Sequence, residues 1–311
     1  MSNNSSSLPE TWCTAMFPTV SFSVLANADI ILAACVVTLL LAPFAVTGNA
    51  FILAAIWRNP SLRTPSYVLL AGLAVTDFCT GLLSQPFFAV YKLAEITGNK
   101  MMRCVAGLIG EIAGLYLSSL TLVVLTMIAV ERWLHVSRRS LLTVRRIVIL
   151  YCTIAACLVF PVAGRMYAWF SPVNAYFTVV VVFFVLAGAL CIIIKAFSYF
   201  KVLQIIRIHQ NQVQANQNGI DMHKYKKSVF TILYILTIFV LSYVPYLCSI
   251  LFFNFIQDYG NAGVTFDVCA TVVFSSSFFN PLLYYCRVKE IRESVKGIIR
   301  KLFCNRNGEE S

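Results

Sequence analysis

Two acidic residues stand inside stretches otherwise free of charge: Asp77, in Leu73-Ala74-Val75-Thr76-Asp77, and Glu111. An ionisable group at membrane depth costs roughly 3 kcal/mol or more, so it is a functional candidate by default. Three other apolar stretches offer polar company: Gly48-Asn49, then Ser118, Ser119 and Thr121, then Ser275, Ser276, Ser277 and Asn280. A carboxylate among such hydroxyls and amides could hold Na⁺ or a proton. The plain alternative is a neutral Asp that hydrogen-bonds neighbouring helices together. Nothing hydrolytic or zinc-binding accompanies these groups: there is no Ser/His or Cys/His set, no HExxH and no paired CxxC. An enzyme is not expected.

The elements that must position these residues are unusually apolar. Of 311 residues 59% are hydrophobic and 12% charged, about half the charge of an average soluble domain. The apolar residues fall into seven runs: Ile30–Ile56, Tyr67–Val90, Cys104–Val130, Ile147–Ala163, Tyr176–Ile194, Ser228–Ile256 and Val268–Cys286. Each has the length of a membrane span and none contains Lys, Arg or His. Backbone groups in hydrocarbon must bond internally, so each run is expected to be a helix. The fold class is an all-α seven-transmembrane bundle over residues 30–286. A segment of residues 1–29 precedes it, and a cytoplasmic amphipathic helix and tail of residues 287–311 follow.

Twenty of the 24 Lys and Arg lie on the tail side of the bundle. That bias puts the tail in the cytoplasm and the N-terminus outside, as in a multi-pass plasma-membrane protein. The net charge of +11 then reflects the anionic inner leaflet and calls for no nucleic acid. Asn3 and Asn4 head glycosylation sequons on the expected outer side. Met1–Glu10 lacks the pattern of a cleaved signal, so the first helix is expected to direct its own insertion. Helix five is expected to run on through Ile206, with Gln210–Gly219 a flexible turn. After helix seven, Val288, Ile291, Val295, Ile298, Ile299, Leu302 and Phe303 recur at helical spacing among basic residues, which predicts a helix lying in the membrane interface. Cys304 at its end is placed for palmitoylation or is an unmodified tail Cys.

Five of these features, in order and each on its own helix, carry a resemblance: Gly48-Asn49, Leu73–Asp77, Glu131-Arg132-Trp133, Pro245 and Asn280-Pro281-Leu282-Leu283-Tyr284. The chain resembles the rhodopsin-like G-protein-coupled receptors. The resemblance implies an activation switch of Glu131, Arg132, Tyr199, Pro245, Asn280, Pro281 and Tyr284. It implies a sodium-linked polar core of Asn49, Asp77, Thr121, Ser276 and Asn280, with Asp77 the metal ligand and Na⁺ an allosteric ion. The implied partners are a heterotrimeric G protein, arrestin, a receptor kinase, membrane lipid and a small-molecule, lipid or peptide ligand. The competing reading is a small-solute or ion transporter using Asp77 and Glu111, which has no need of Glu131-Arg132 or the Asn-Pro-x-x-Tyr ending.

The chain also departs from the family. The usual helix-three Cys is replaced by Gly107, helix four lacks its Trp and helix five has no Pro. The loss of both disulfide and proline is similar to the melanocortin, lysophospholipid and cannabinoid branch. Cys13 and Cys104 both fall on the expected outer side, where a disulfide between them is permitted. An acid that often holds the Arg from helix six is replaced by Tyr225. Gly114 stands where amine receptors carry Asp, which disfavours a monoamine. Phe274 stands where opsins carry the retinal Lys, and no Lys is expected within any helix, which excludes a retinal Schiff base. Glu111 is then the one charge expected in the outer bundle, to receive a cationic ligand group or to be neutralised by Arg165. Tyr91, Phe170, Tyr243, Tyr246, Phe252 and Phe274 are candidates for lining an amphipathic pocket.

Overall fold

The computed structural model describes residues 26–138, 142–170, 174–215, 237–252 and 259–306. Helix one spans Ala28–Arg58, helix two Pro65–Thr97, helix three Lys100–Val136, helix four Val144–Phe170, helix five Asn174–Ala215 and helix seven Tyr259–Arg287. Helix six is described over Thr237–Phe252, and a tail helix covers Lys289–Arg306. Among the described residues there is no strand. The architecture is the seven-helix bundle, with helix three against helices two, four and five, and helix seven on helix one. Helix three is central: 56% of its most apolar stretch is buried, against 11% for helix four. Leu40, Phe160, Leu186, Ile193 and Leu241 point outward, each more than half exposed. Such an apolar girdle suits lipid and would aggregate in water.

Local chemistry sets the boundaries. Pro65 opens helix two, where its missing N–H is no loss. Gly98, at φ 74°, closes it in the left-handed region, which glycine enters without strain. Asn99 then caps helix three by accepting from the Met102 N–H at 3.0 Å. Helix two is not regular throughout. Thr80–Ser84 forms a π-turn just ahead of Pro86, whose ring has no N–H and would crowd the preceding turn. The wider turn relieves that crowding and rotates everything beyond it about the helix axis.

Two expectations need correcting and a third is completed. Helix five continues to Ala215, so the first half of Gln210–Gly219 is helical: Gln, Val and Ala are tolerated there, and the glycine that could stop it comes later. The tail helix forms as expected over Lys289–Arg306 and also packs on the bundle. Ile291, Val295 and Ile298 bury against Ile52, Ala55, Ile56, Leu62 and Leu70, and Ser294 donates to the Ala55 carbonyl at 3.4 Å. Lysines do occur within the bundle, because helices two and five extend beyond the charge-free runs: Lys92 is 7% and Lys195 0% exposed.

Helices one and seven meet at Gly48. A Cβ there would sit 3.0 Å from Cγ and 3.2 Å from Cβ of Pro281, and a proline ring cannot swing aside. Gly48→Val should therefore cost about 1–3 kcal/mol by overpacking, read as a lower melting temperature of purified protein. Melting at the wild-type temperature would refute this close approach.

Candidate functional site

Three clusters of polar residues lie along the bundle. The middle one is built on Asp77, fully buried. Ser277 Oγ donates to Asp77 Oδ1 at 2.9 Å and Asn280 Nδ2 to Oδ2 at 2.7 Å. Asn49 Nδ2 donates to the Ser277 carbonyl at 3.1 Å, joining helices one, two and seven. Thr121 reaches the neighbouring Thr76 hydroxyl at 3.1 Å. The resemblance implied Ser276 in this core, and the carboxylate takes Ser277 in its place. Ser276 donates to the Val273 carbonyl at 2.6 Å. Both Asp77 oxygens accept hydrogen bonds, yet among the described residues no Lys or Arg pairs with it. A buried carboxylate with hydroxyls beside it and no counter-charge is a donor set that suits Na⁺.

At the basic end, Glu131 is buried and Arg132 half exposed. Ser66 Oγ donates to Glu131 Oε1 at 2.7 Å, while Arg132 Nε stands 3.8 Å from Oε2. Among the described residues Oε2 makes no hydrogen bond, so there Ser66 rather than Arg132 holds this carboxylate. Tyr199 and Tyr284 lie within electrostatic range of Arg132 and of each other. Pro245 and Pro281 sit inside helices six and seven, each removing one helical hydrogen bond. Tyr225 lies outside the described residues.

The third cluster is at the opposite end, and sequence reasoning missed most of it. Lys92 Nζ is 2.7 Å from Asp267 Oδ2 and 2.9 Å from Glu95 Oε2, and 4.6 Å from the Tyr91 ring centre. All three charged side chains are nearly buried. Below them Gln85 Nε2 donates to the Phe274 carbonyl at 2.9 Å. Lys92, Glu111 and Asp267 border a cavity of about 210 Å³ whose walls include Phe88, Tyr91, Tyr246 and Phe274. Gly107, Gly110 and Gly114 form a bare strip of helix three along it. A Cβ on Gly114 would lie 3.5 Å from Phe274, so its absence keeps that wall open.

Of the expected lining, Glu111, Tyr91, Tyr246 and Phe274 are there. Tyr243 is not among the lining residues: it is buried and stacks on Phe239 at 4.8 Å. Phe252 is 43% exposed and does not line the cavity either. The side chains of Phe170, Arg165 and Cys304, with Cys13, Asn3 and Asn4, lie outside the described residues. Cys104 is disulfide-bonded, and Cys269 is a free thiol. Glu111 is not the only charge at this end, because the helices that carry Lys92, Glu95 and Asp267 outrun the charge-free windows.

A cavity at one end of a seven-helix bundle, a buried acid midway and an acid–arginine pair at the other end define a membrane signalling receptor. Residues 48–284 match the family described as 7 transmembrane receptor (rhodopsin family), and the chain belongs to it. It is a multi-pass membrane protein with G-protein-coupled receptor activity. It is 26% identical over 314 residues to the high-affinity lysophosphatidic acid receptor of Xenopus laevis, covering 86% of this chain and 82% of the relative. It is 24% identical over 270 residues to human G-protein coupled receptor 12, covering 79% and 75%. Its fold is similar to squid rhodopsin, with a TM-score of 0.68 at 16% identity over 88% of this chain and 86% of that one.

Proposed function

We propose that this receptor takes an amphipathic small molecule or single-chain lipid in the cavity beside Lys92, Asp267 and Glu111. The proposal includes the plasma membrane, an outer N-terminus, and a heterotrimeric G protein engaging the basic face around Arg132. The carrying observation is the cavity's two-sided chemistry. Aromatic rings and the glycine strip suit an apolar body, and the ion cluster at one edge suits a charged or strongly polar head. A volume of about 210 Å³ suits one slender moiety. The similarity to a lysophosphatidic acid receptor supports the lipid reading. Arrestin, a receptor kinase, glycans on Asn3 or Asn4, a Cys13–Cys104 disulfide and a palmitate on Cys304 complete the picture.

Na⁺ belongs to the same reading. Asp77 and the Ser277 hydroxyl would hold it, with Thr121 and Asn280 close by, and the ion would neutralise the buried carboxylate while the bundle is closed.

The test is a lipid and small-molecule panel applied to cells expressing the receptor with a promiscuous G protein, using Asp267→Asn and Glu111→Gln as pocket controls. An active compound whose potency neither variant changes would reject the pocket assignment. A second expectation concerns the basic end. Glu131→Gln keeps the Ser66 hydrogen bond but drops the attraction for Arg132. A half-exposed pair contributes about 0.5 kcal/mol, so ligand-free signalling should rise roughly twofold. Equal signalling at matched surface expression would remove Glu131 from the switch.

A further inference from the structure

Lys195 lies on helix five, apart from the three polar clusters. It is 0% exposed, and among the described residues its Nζ has no hydrogen-bond partner. Among the described residues its Nζ meets the face of Phe239 on helix six, 3.2 Å from the ring centre. Two contacts to helix three fix its level: Thr126 donates to the Cys191 carbonyl at 3.4 Å, and Trp133 meets the Phe197 ring edge-on at 5.6 Å. Lys195 is therefore at the height of the last turn before Arg132, close to the basic face. Phe239 is itself stacked on Tyr243.

An amine buried without an acceptor is worse off than the same amine in water, and a ring face returns only part of the lost solvation. The closed packing of helices five and six thus carries a standing penalty at Lys195. Pro245, six residues beyond Phe239, lacks an N–H and is the natural hinge of helix six. Swinging the part of helix six that carries Phe239 outward would uncover the amine at the basic face and relieve the penalty. We propose that Lys195 is an activating residue, which destabilises the closed bundle and so raises the population of the G-protein-competent state without ligand. This rests on the receptor reading above, and uses neither the ligand cavity nor Glu131.

The experiment compares full-length wild type with Lys195→Met, Lys195→Arg, Phe239→Leu and Lys195→Met/Phe239→Leu. Nucleotide exchange on added G proteins is measured in ligand-free membranes at matched surface expression, together with melting of purified protein. Lys195→Met, apolar and of similar length, should lower basal exchange about tenfold and raise the melting temperature by about 3 °C or more. Lys195→Arg should keep basal exchange. Phe239→Leu should raise it in the wild-type background and leave it unchanged in the Lys195→Met background, because the ring acts through the amine. If Lys195 instead held the bundle shut, both signs would reverse, and lower melting with higher exchange in Lys195→Met would overturn the proposal. No exchange by the wild type with any G-protein type would sink the coupling assignment. The melting comparison would still decide whether Lys195 opposes closure.

Discussion

Lys92→Met should be the most damaging single substitution in the bundle. It leaves Asp267 and Glu95 buried at the cavity edge with their shared cation gone, and Asp267 is 3% exposed. Breaking a buried ion pair from one side costs about 3–5 kcal/mol, because the surviving charge has neither water nor partner. Replacing both members of the closest pair is a different matter: Lys92→Met/Asp267→Leu removes both charges from the 2.7 Å contact and should recover most of the loss. The measurement is thermal melting of purified protein, with surface expression as a second readout. A single variant that melts like wild type, or a double variant no better than the single, would mean that the cluster is solvated in practice.

The second large effect is expected at Asp77. Asp77→Ala strands the Ser277 hydroxyl and the Asn280 amide, which donate to the carboxylate at 2.9 and 2.7 Å. Each unsatisfied buried donor costs about 1–3 kcal/mol, so the loss should approach that at Lys92. Asp77→Asn separates structure from charge, since its amide can still accept one of the two bonds. With Na⁺ bound in the closed state, agonist affinity in the wild type should fall as NaCl replaces a bulky organic cation at constant ionic strength. In Asp77→Asn that dependence should vanish while folding is retained. A sodium response that survives the substitution would reject Asp77 as the ion's ligand.

The seven runs and the five ordered motifs were legible from sequence because each rests on a strong local rule: length without charge, or a residue type with a peculiar backbone demand. Lys92 and Lys195 were not. A span read as a charge-free window ends, by construction, at its first cation, whereas the helix ends only where caps or glycine stop it. Helix two continues from Val90 to Thr97 and helix five from Ile194 to Ala215. Lys92 did carry a signal, since Gln85, Phe88, Lys92 and Glu95 recur at helical spacing and all face inward. The exchange of Ser276 for Ser277 has a similar origin. Adjacent serines differ by about 100° around a helix axis, and nothing in Ser275-Ser276-Ser277 says which faces helix two. The π-turn could have been suspected from Pro86, but its effect on the register beyond it could not.

Helices two and seven are tied at three heights: Lys92 to Asp267, Gln85 to the Phe274 carbonyl, and Asp77 to Ser277 and Asn280. The first two ties lie seven residues apart on both helices, close to two helical turns. Sliding one helix along the other by a turn would break all three ties together, so that motion is closed to the receptor. Turning the tied pair as one body breaks none. The pair therefore behaves as a shaft and not as a piston, and torque applied at Asp267 is delivered two to four turns away at Ser277, Asn280 and the proline ring that bears on Gly48.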